Sequence, residues 1–256
     1  MVHQGFQKVM ILILRATILG ITIWGWHTAA HTVVTLLHHP LITVFSVWIA
    51  LVVVVLSRIA QNGVSFEHHE HQVQRLQRLA TKVWGKRRPS PTVSTISGGR
   101  ILVHPDSNRD QVMVGIRAAN SLNDKQLTLI LAHEYFHCDH PFQGFLQLSR
   151  TVMEALFVMT LVNAVILFGT PALVSSSIGL LASALADQLN EILMDLQAAR
   201  RLKVKGQFVA ETFATFTKVR RLPLRKRLLN ALLGLVMTPV RAHPPVEIRL
   251  LIQRMF

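Results

Sequence analysis

Four stretches of the chain, residues 9–29, 41–59, 152–168 and 172–189, are almost wholly apolar, and each is near the length that crosses a bilayer. A hydrocarbon core takes about 20 consecutive apolar residues in a helix. Lipid also offers backbone N–H and C=O groups no partner outside the segment itself, which leaves helices as the spanning form here. The fold class these segments permit is mostly α and integral to a membrane. Arg15 interrupts the first stretch and Asp187 the last, each close enough to an end to reach the interface or to face protein. Gly169-Thr170-Pro171 separates the third from the fourth, so those two read as a helical hairpin. No clean small-residue cleavage site follows residues 9–29, and a second apolar span comes soon after, which argues against a removable signal peptide.

The charges orient these spans. Only 16% of residues are charged, yet the net charge is +14, so the polar parts are strongly basic. Eleven Lys and Arg lie in residues 61–150 and thirteen in residues 200–256, while residues 26–40 and 169–177 have none. By the positive-inside rule both large polar segments and the N-terminus face the cytoplasm, with an even number of spans between them. The basic C-terminal part is then expected to meet anionic lipid head groups, at about 1 kcal/mol per basic side chain, rather than nucleic acid. Cys138 is the only cysteine, so no internal disulfide forms, and it reads as a small, partly buried side chain.

Between the spans, residues 65–85 read as an amphipathic helix, broken by Arg87-Arg88-Pro89-Ser90-Pro91. Short β-type runs follow at 93–96, 101–104 and 112–116, with Gly98-Gly99 marking a hairpin. Asn123 with Gln126 three residues on is a capping-box pattern, opening a helix that contains Leu131-Ala132-His133-Glu134-Tyr135-Phe136-His137. On that helix His133 and His137 project from one face. Glu134 stands beside them, where a carboxylate can take a proton from a metal-bound water. Catalytic zinc keeps three protein ligands, and the candidate for the third is Glu191, directly after the fourth span. Asp195, four residues on, shares its face and is suited to accept the ring N–H of a ligating histidine. His68, His69 and His71, interleaved with Glu67 and Glu70, read as a solvated helix start, and His27, His31, His38 and His39 as interfacial residues on the outer side.

Three blocks in this order, residues 131–137, Glu191 with Asp195, and His243-Pro244-Pro245-Val246-Glu247-Ile248-Arg249, resemble the HtpX-like family of integral-membrane zinc metallopeptidases, relatives of the CAAX prenyl endopeptidases. The resemblance covers most of the chain. It implies a zincin-like peptidase domain with a small β-sheet, fused to four transmembrane helices. Residues 1–60 would hold two of these and 151–189 the hairpin. Residues 61–150 and 190–256 would form the two parts of the peptidase domain. It further implies that His133, His137 and Glu191 bind one Zn2+, that Glu134 is the catalytic carboxylate, and that His243 and Arg249 belong to the active site. Pro244 and Pro245 would start a helix carrying Arg249 toward the cleft, or toward Glu191 and Asp195. Family members present an Asn-Ala-Phe type segment on the strand that receives substrate. Here that stretch, with Gly99, Ile101 and Val103, lacks it, and Met194 and Leu196 also depart from the pattern.

The expected function is a membrane-embedded zinc endopeptidase. It would hydrolyse peptide bonds of membrane or membrane-proximal proteins, in quality control or regulated proteolysis, by Glu-assisted attack of zinc-bound water. The expected location is the inner or plasma membrane of a bacterium, with the active site facing the cytoplasm. A BlaR/MecR-like signalling peptidase and a non-catalytic membrane sensor or scaffold are the alternatives. The topology has a direct check. Cysteines placed at Thr32 and Ser176 should react with an impermeant reagent added outside the cell, whereas those at Ser90 and Gln253 should not. Labelling at Ser90 from outside would invert the orientation.

Overall fold

A computed structural model describes residues 2–38, 40–62, 69–85, 92–96, 101–106, 109–139, 142–167, 171–217 and 249. The chain divides into two compact units. One comprises Met1–Gly63, Phe142–Glu191 and Leu232–Pro244, and the other Val64–Pro141, Ile192–Ala231 and Pro245–Phe256.

The first unit is built from long apolar helices: α1 (Val2–Leu37), α2 (Pro40–Asn62), α6 (Gln143–Leu167) and the first part of α7 (Pro171–Leu202). Three helical stretches, Lys8–Leu37, Gln143–Asn163 and Ala172–Leu202, are long and apolar enough to cross a membrane, and α2 adds a described apolar stretch, Thr43–Val52. All the exposed large hydrophobic side chains among the described residues belong to this unit, with Leu41 and Trp48 among them. A surface of that kind is costly in water and neutral in lipid. These are the properties of a membrane protein. Thr32 and Ser176 are buried within this unit, so the outer labelling positions that stay accessible are the neighbouring Thr35 and Val174.

Several polar groups inside the unit are paired across its helices. Trp26 Nε1 on α1 donates to Ser149 Oγ on α6 at 2.9 Å, and Asn163 Nδ2 on α6 donates to Ser46 Oγ on α2 at 2.8 Å. Arg150 Nε donates to Glu154 on its own helix at 2.9 Å, and its Nη1 donates to Asp187 on α7. Helices α1 and α7 approach at Gly25 and Gly179. A methyl at Gly179 would meet Thr28 Oγ1 at 3.0 Å and the Met153 sulfur at 3.2 Å, so a larger residue there would have to displace one of these side chains.

The second unit holds α3 (Glu70–Trp84), β1 (Thr92–Ile96), β2 (Ile101–Asp106), β3 (Arg109–Gly115), α4 (Ile116–Ser121), α5 (Asp124–Asp139), the end of α7 and α8 (Gly206–Thr217). Helix α3 buries Leu76, Ala80, Val83 and Trp84, one stripe at helical spacing. It ends at Gly85, whose φ of 69° is a conformation glycine adopts without strain. The expected helix of residues 65–85 is thus present from Glu70. His69 and His71 are exposed at its start, and His68 lies outside the described residues.

The sheet corrects the expected hairpin. The strand order is β1-β3-β2, so β1 and β2 do not pair across Gly98-Gly99. Instead β3 is central, parallel to β1 and antiparallel to β2 from Ile101↔Val114 to Asp106↔Arg109. Burial explains the choice: Val112, Met113 and Val114 are all nearly inaccessible, and a strand covered on both faces belongs in the middle. Sequence adjacency and a glycine pair were the weaker signal.

The capping box at α5 forms as its sequence requires. Gln126 N donates to Asn123 Oδ1 at 3.0 Å, and Asn123 N donates back to Gln126 Oε1 at 3.1 Å. Helix α5 then runs through the core, burying Leu127 and Leu129 through His133. Arg75 on α3 fixes its approach. It donates to the carbonyls of Ala119 at 2.8 Å and Leu122 at 3.1 Å, and to Asp124 Oδ1 at 2.7 Å. The Asp124 side chain is 64% exposed, so that ion pair is worth little, while the carbonyl bonds stand in for missing backbone partners at the end of α4. Arg75→Met should therefore lower stability by about 1–2 kcal/mol and Asp124→Asn by only a few tenths, read from denaturation midpoints. Equal losses would assign the effect to the surface pair.

Candidate metal centre

The second half of α5 brings His133, Glu134 and His137 together. Each offers one donor atom, and these atoms lie within 4.8 Å of one another. His133 is buried, and Glu134 and His137 are partly buried. The imidazoles meet edge to face with centroids 4.7 Å apart, and their Nε2 atoms face each other at 3.0 Å.

The other edge of His133 decides which nitrogen is available. Its Nδ1 lies 2.8 Å from Asp195 Oδ1 on α7, and an ionised carboxylate can only accept. The proton therefore sits on Nδ1, and in the neutral ring Nε2 presents a bare lone pair. Asp195 is in turn held by Arg249, whose Nε donates to Oδ2 at 2.8 Å and Nη2 to Oδ1 at 2.6 Å. This is a bidentate, in-plane pair, and it offsets the cost of taking a carboxylate fully out of water. The Asp195 side chain is 0% exposed and that of Arg249 6%.

The donors suit a metal ion. Imidazole nitrogens are donors of borderline softness and a carboxylate oxygen is a harder one, and a carboxylate behind one histidine is the support a ligating imidazole ordinarily has. The group can hold a metal ion.

Of the residues expected at a site, His133, Glu134, His137, Asp195 and Arg249 belong to one unit and make the contacts described above. Glu191 is buried on α7, one helical turn before Asp195, in the first unit. Ile101 and Val103 lie on β2, an edge of the described sheet. Gly99 and His243 fall outside the described residues. Of the two readings of Arg249, cleft-facing or holding an acid, the contact observed is with Asp195. Cys138 is partly buried against the core, as its size suggests.

Two contributors gave no signal in the sequence. The Arg201 guanidinium lies over the Tyr135 ring at 4.3 Å and donates to the Val83 carbonyl at 2.6 Å, bracing the histidine helix from α7. Phe213 on α8 meets the His133 ring at 5.9 Å and lies beneath the Arg249 guanidinium at 3.7 Å. An arginine in a basic run and a phenylalanine in an apolar helix are common, and nothing in their spacing points to a site.

No protein-family model matches the chain, and no curated protein or solved structure matches it significantly. The reading of the centre rests on its own geometry.

That geometry makes Asp195 the costliest position to neutralise alone. Asp195→Asn leaves a buried guanidinium without its counter-charge and should destabilise the fold by about 3–5 kcal/mol. Adding Arg249→Met should recover a large part of the loss. Unfolding midpoints of the two variants in detergent test this, and the same stability for both would remove the ion pair from the account.

Proposed function

We propose that this chain is a membrane-embedded zinc endopeptidase of the HtpX-like type. It would cut membrane or membrane-proximal proteins on the cytoplasmic side of a four-span topology, with α2 as the fourth span. One observation carries the reading: His133 has its Nδ1–H committed to a buried carboxylate and its Nε2 facing that of His137, with Glu134 alongside. An arrangement that fixes a histidine tautomer is wasted on a merely structural helix.

In this reading His133 and His137 would hold the ion through Nε2. Glu191, four residues before Asp195 in the sequence, would be the third ligand. Bound zinc supplies Lewis acidity that polarises the scissile carbonyl and makes water more acidic. Glu134 accepts the proton of the attacking water and delivers it to the amine nitrogen as the C–N bond breaks, so one carboxylate serves as base and then acid. Asp195 keeps His133 in the ligating tautomer and Arg249 keeps Asp195 ionised. The edge of β2 at Ile101 and Val103 would take an extended peptide by strand addition. His243 would donate to the oxygen that gains charge.

The test separates binding from chemistry. Zinc content and cleavage of a casein-type substrate are measured on the detergent-purified chain, with and without chelator. Glu134→Gln should keep its zinc and lose roughly 10²–10⁴-fold in turnover, because proton transfer and metal binding use different groups. His137→Ala should lose the metal itself. Undiminished cleavage by Glu134→Gln would end the peptidase reading, and parallel loss of zinc and activity would make Glu134 a ligand instead.

A further inference from the structure

We propose that Phe213 is a positioning residue of the metal centre: its ring sets the orientation of Arg249 and His133 and thereby the direction of the His133 lone pair. The proposal rests on the metal reading of the site. It starts from what the hydrogen bonds leave undetermined. Arg249 meets Asp195 through Nε and Nη2, both in the plane of the guanidinium, so these bonds fix its position but resist rolling about that edge only weakly. His133 meets Asp195 through Nδ1 and His137 through Nε2, both in the plane of its imidazole, so these bonds resist tilting of the ring across that plane only weakly.

Phe213 lies where both freedoms are removed. The Arg249 guanidinium carbon is 3.7 Å from the ring centroid, a stacked cation–π distance that presses the flat face of the fork and leaves its donor edge to the carboxylate. The same ring meets His133 at 65° with centroids 5.9 Å apart, an edge-to-face contact. Hydrogen bonds thus act within the planes of the guanidinium and the imidazole, and the aromatic ring acts across them. Phe213 comes from α8, an element separate from α5 and α7, so the restraint is not a by-product of the ligands' own helices.

A leucine or methionine at 213 keeps apolar volume and helix propensity but removes the ring. Tyrosine keeps the ring. The full-length protein in detergent is titrated with zinc against a chromophoric chelator, and its metal-free thermal stability is recorded in parallel. Phe213→Leu should weaken zinc binding about tenfold, the lower end of the effect seen when a residue behind a ligand is changed. Phe213→Tyr should restore it to within about twofold of the unsubstituted chain. In an Arg249→Met background the same Leu substitution should cost less than about threefold, since its main contact is already gone. Phe213→Met carries the same test should the leucine variant fail to fold. Unchanged zinc affinity in Phe213→Leu or Phe213→Met overturns the proposal, as does an equal loss with and without Arg249, which would reduce Phe213 to packing. If the unsubstituted chain binds no zinc, the metal reading falls together with this one. If it binds zinc and the ring makes no difference, this one falls alone.

Discussion

A carboxylate taken wholly out of water is the interaction on which the candidate site depends. The side chain of Asp195 is inaccessible, and the cost of burying an ionised group is several kcal/mol or more unless geometry returns it. Here the return comes from three N–H donors, two from Arg249 and one from His133. Because a carboxylate only accepts, the same contact that compensates the charge also fixes the histidine proton on Nδ1. Stability and site chemistry are therefore not separable at this position. A residue that satisfied the guanidinium without orienting the imidazole would leave the fold intact and the lone pair undirected.

The membrane-type unit obeys the opposite economy. Its outward surface is apolar, and helix contacts are made by small side chains and by isolated polar ties such as Trp26 with Ser149 and Asn163 with Ser46. Where burial gives no hydrophobic gain, close approach and hydrogen bonds must hold helices together. Gly25 and Gly179 let α1 and α7 approach to backbone distance, and Arg150 is matched by two carboxylates rather than one. Charged residues are costly in lipid, and Arg150, Glu154 and Asp187 offset that cost by pairing with one another.

Much of this was readable from local patterns and little of it from single residues. Asn123 and Gln126 announce a helix start because the two side chains and two backbone N–H groups satisfy one another without outside help. The apolar helices and the shared face of His133 and His137 are equally local. Strand order was not. Gly98-Gly99 suggested pairing of neighbours, but β3 took the centre because Val112, Met113 and Val114 needed cover on both faces, a tertiary demand. The acid at 195 could be singled out by its spacing from Glu191, whereas its match with Arg249, 54 positions away, was one of two readings until the contact was seen. Phe213 was invisible, since stacking leaves no periodic trace in a helix already rich in apolar residues.

The chain also contains its own control for the meaning of a histidine pair. His27 and His31 stand four apart on α1, as His133 and His137 do on α5, and both pairs meet edge to face, with centroids 4.9 Å and 4.7 Å apart. Spacing and ring geometry are thus nearly the same. The surroundings differ. Helix α1 contains no acidic residue, and both histidines of this pair are exposed, so nothing on that helix selects a tautomer. On α5 a carboxylate follows the first histidine directly, and a second, buried one holds its Nδ1. The i, i+4 interval is what helix geometry supplies to any two histidines. What directs the nitrogens of such a pair is the desolvated acid behind it, and that acid is stabilised by an arginine 54 positions along the chain.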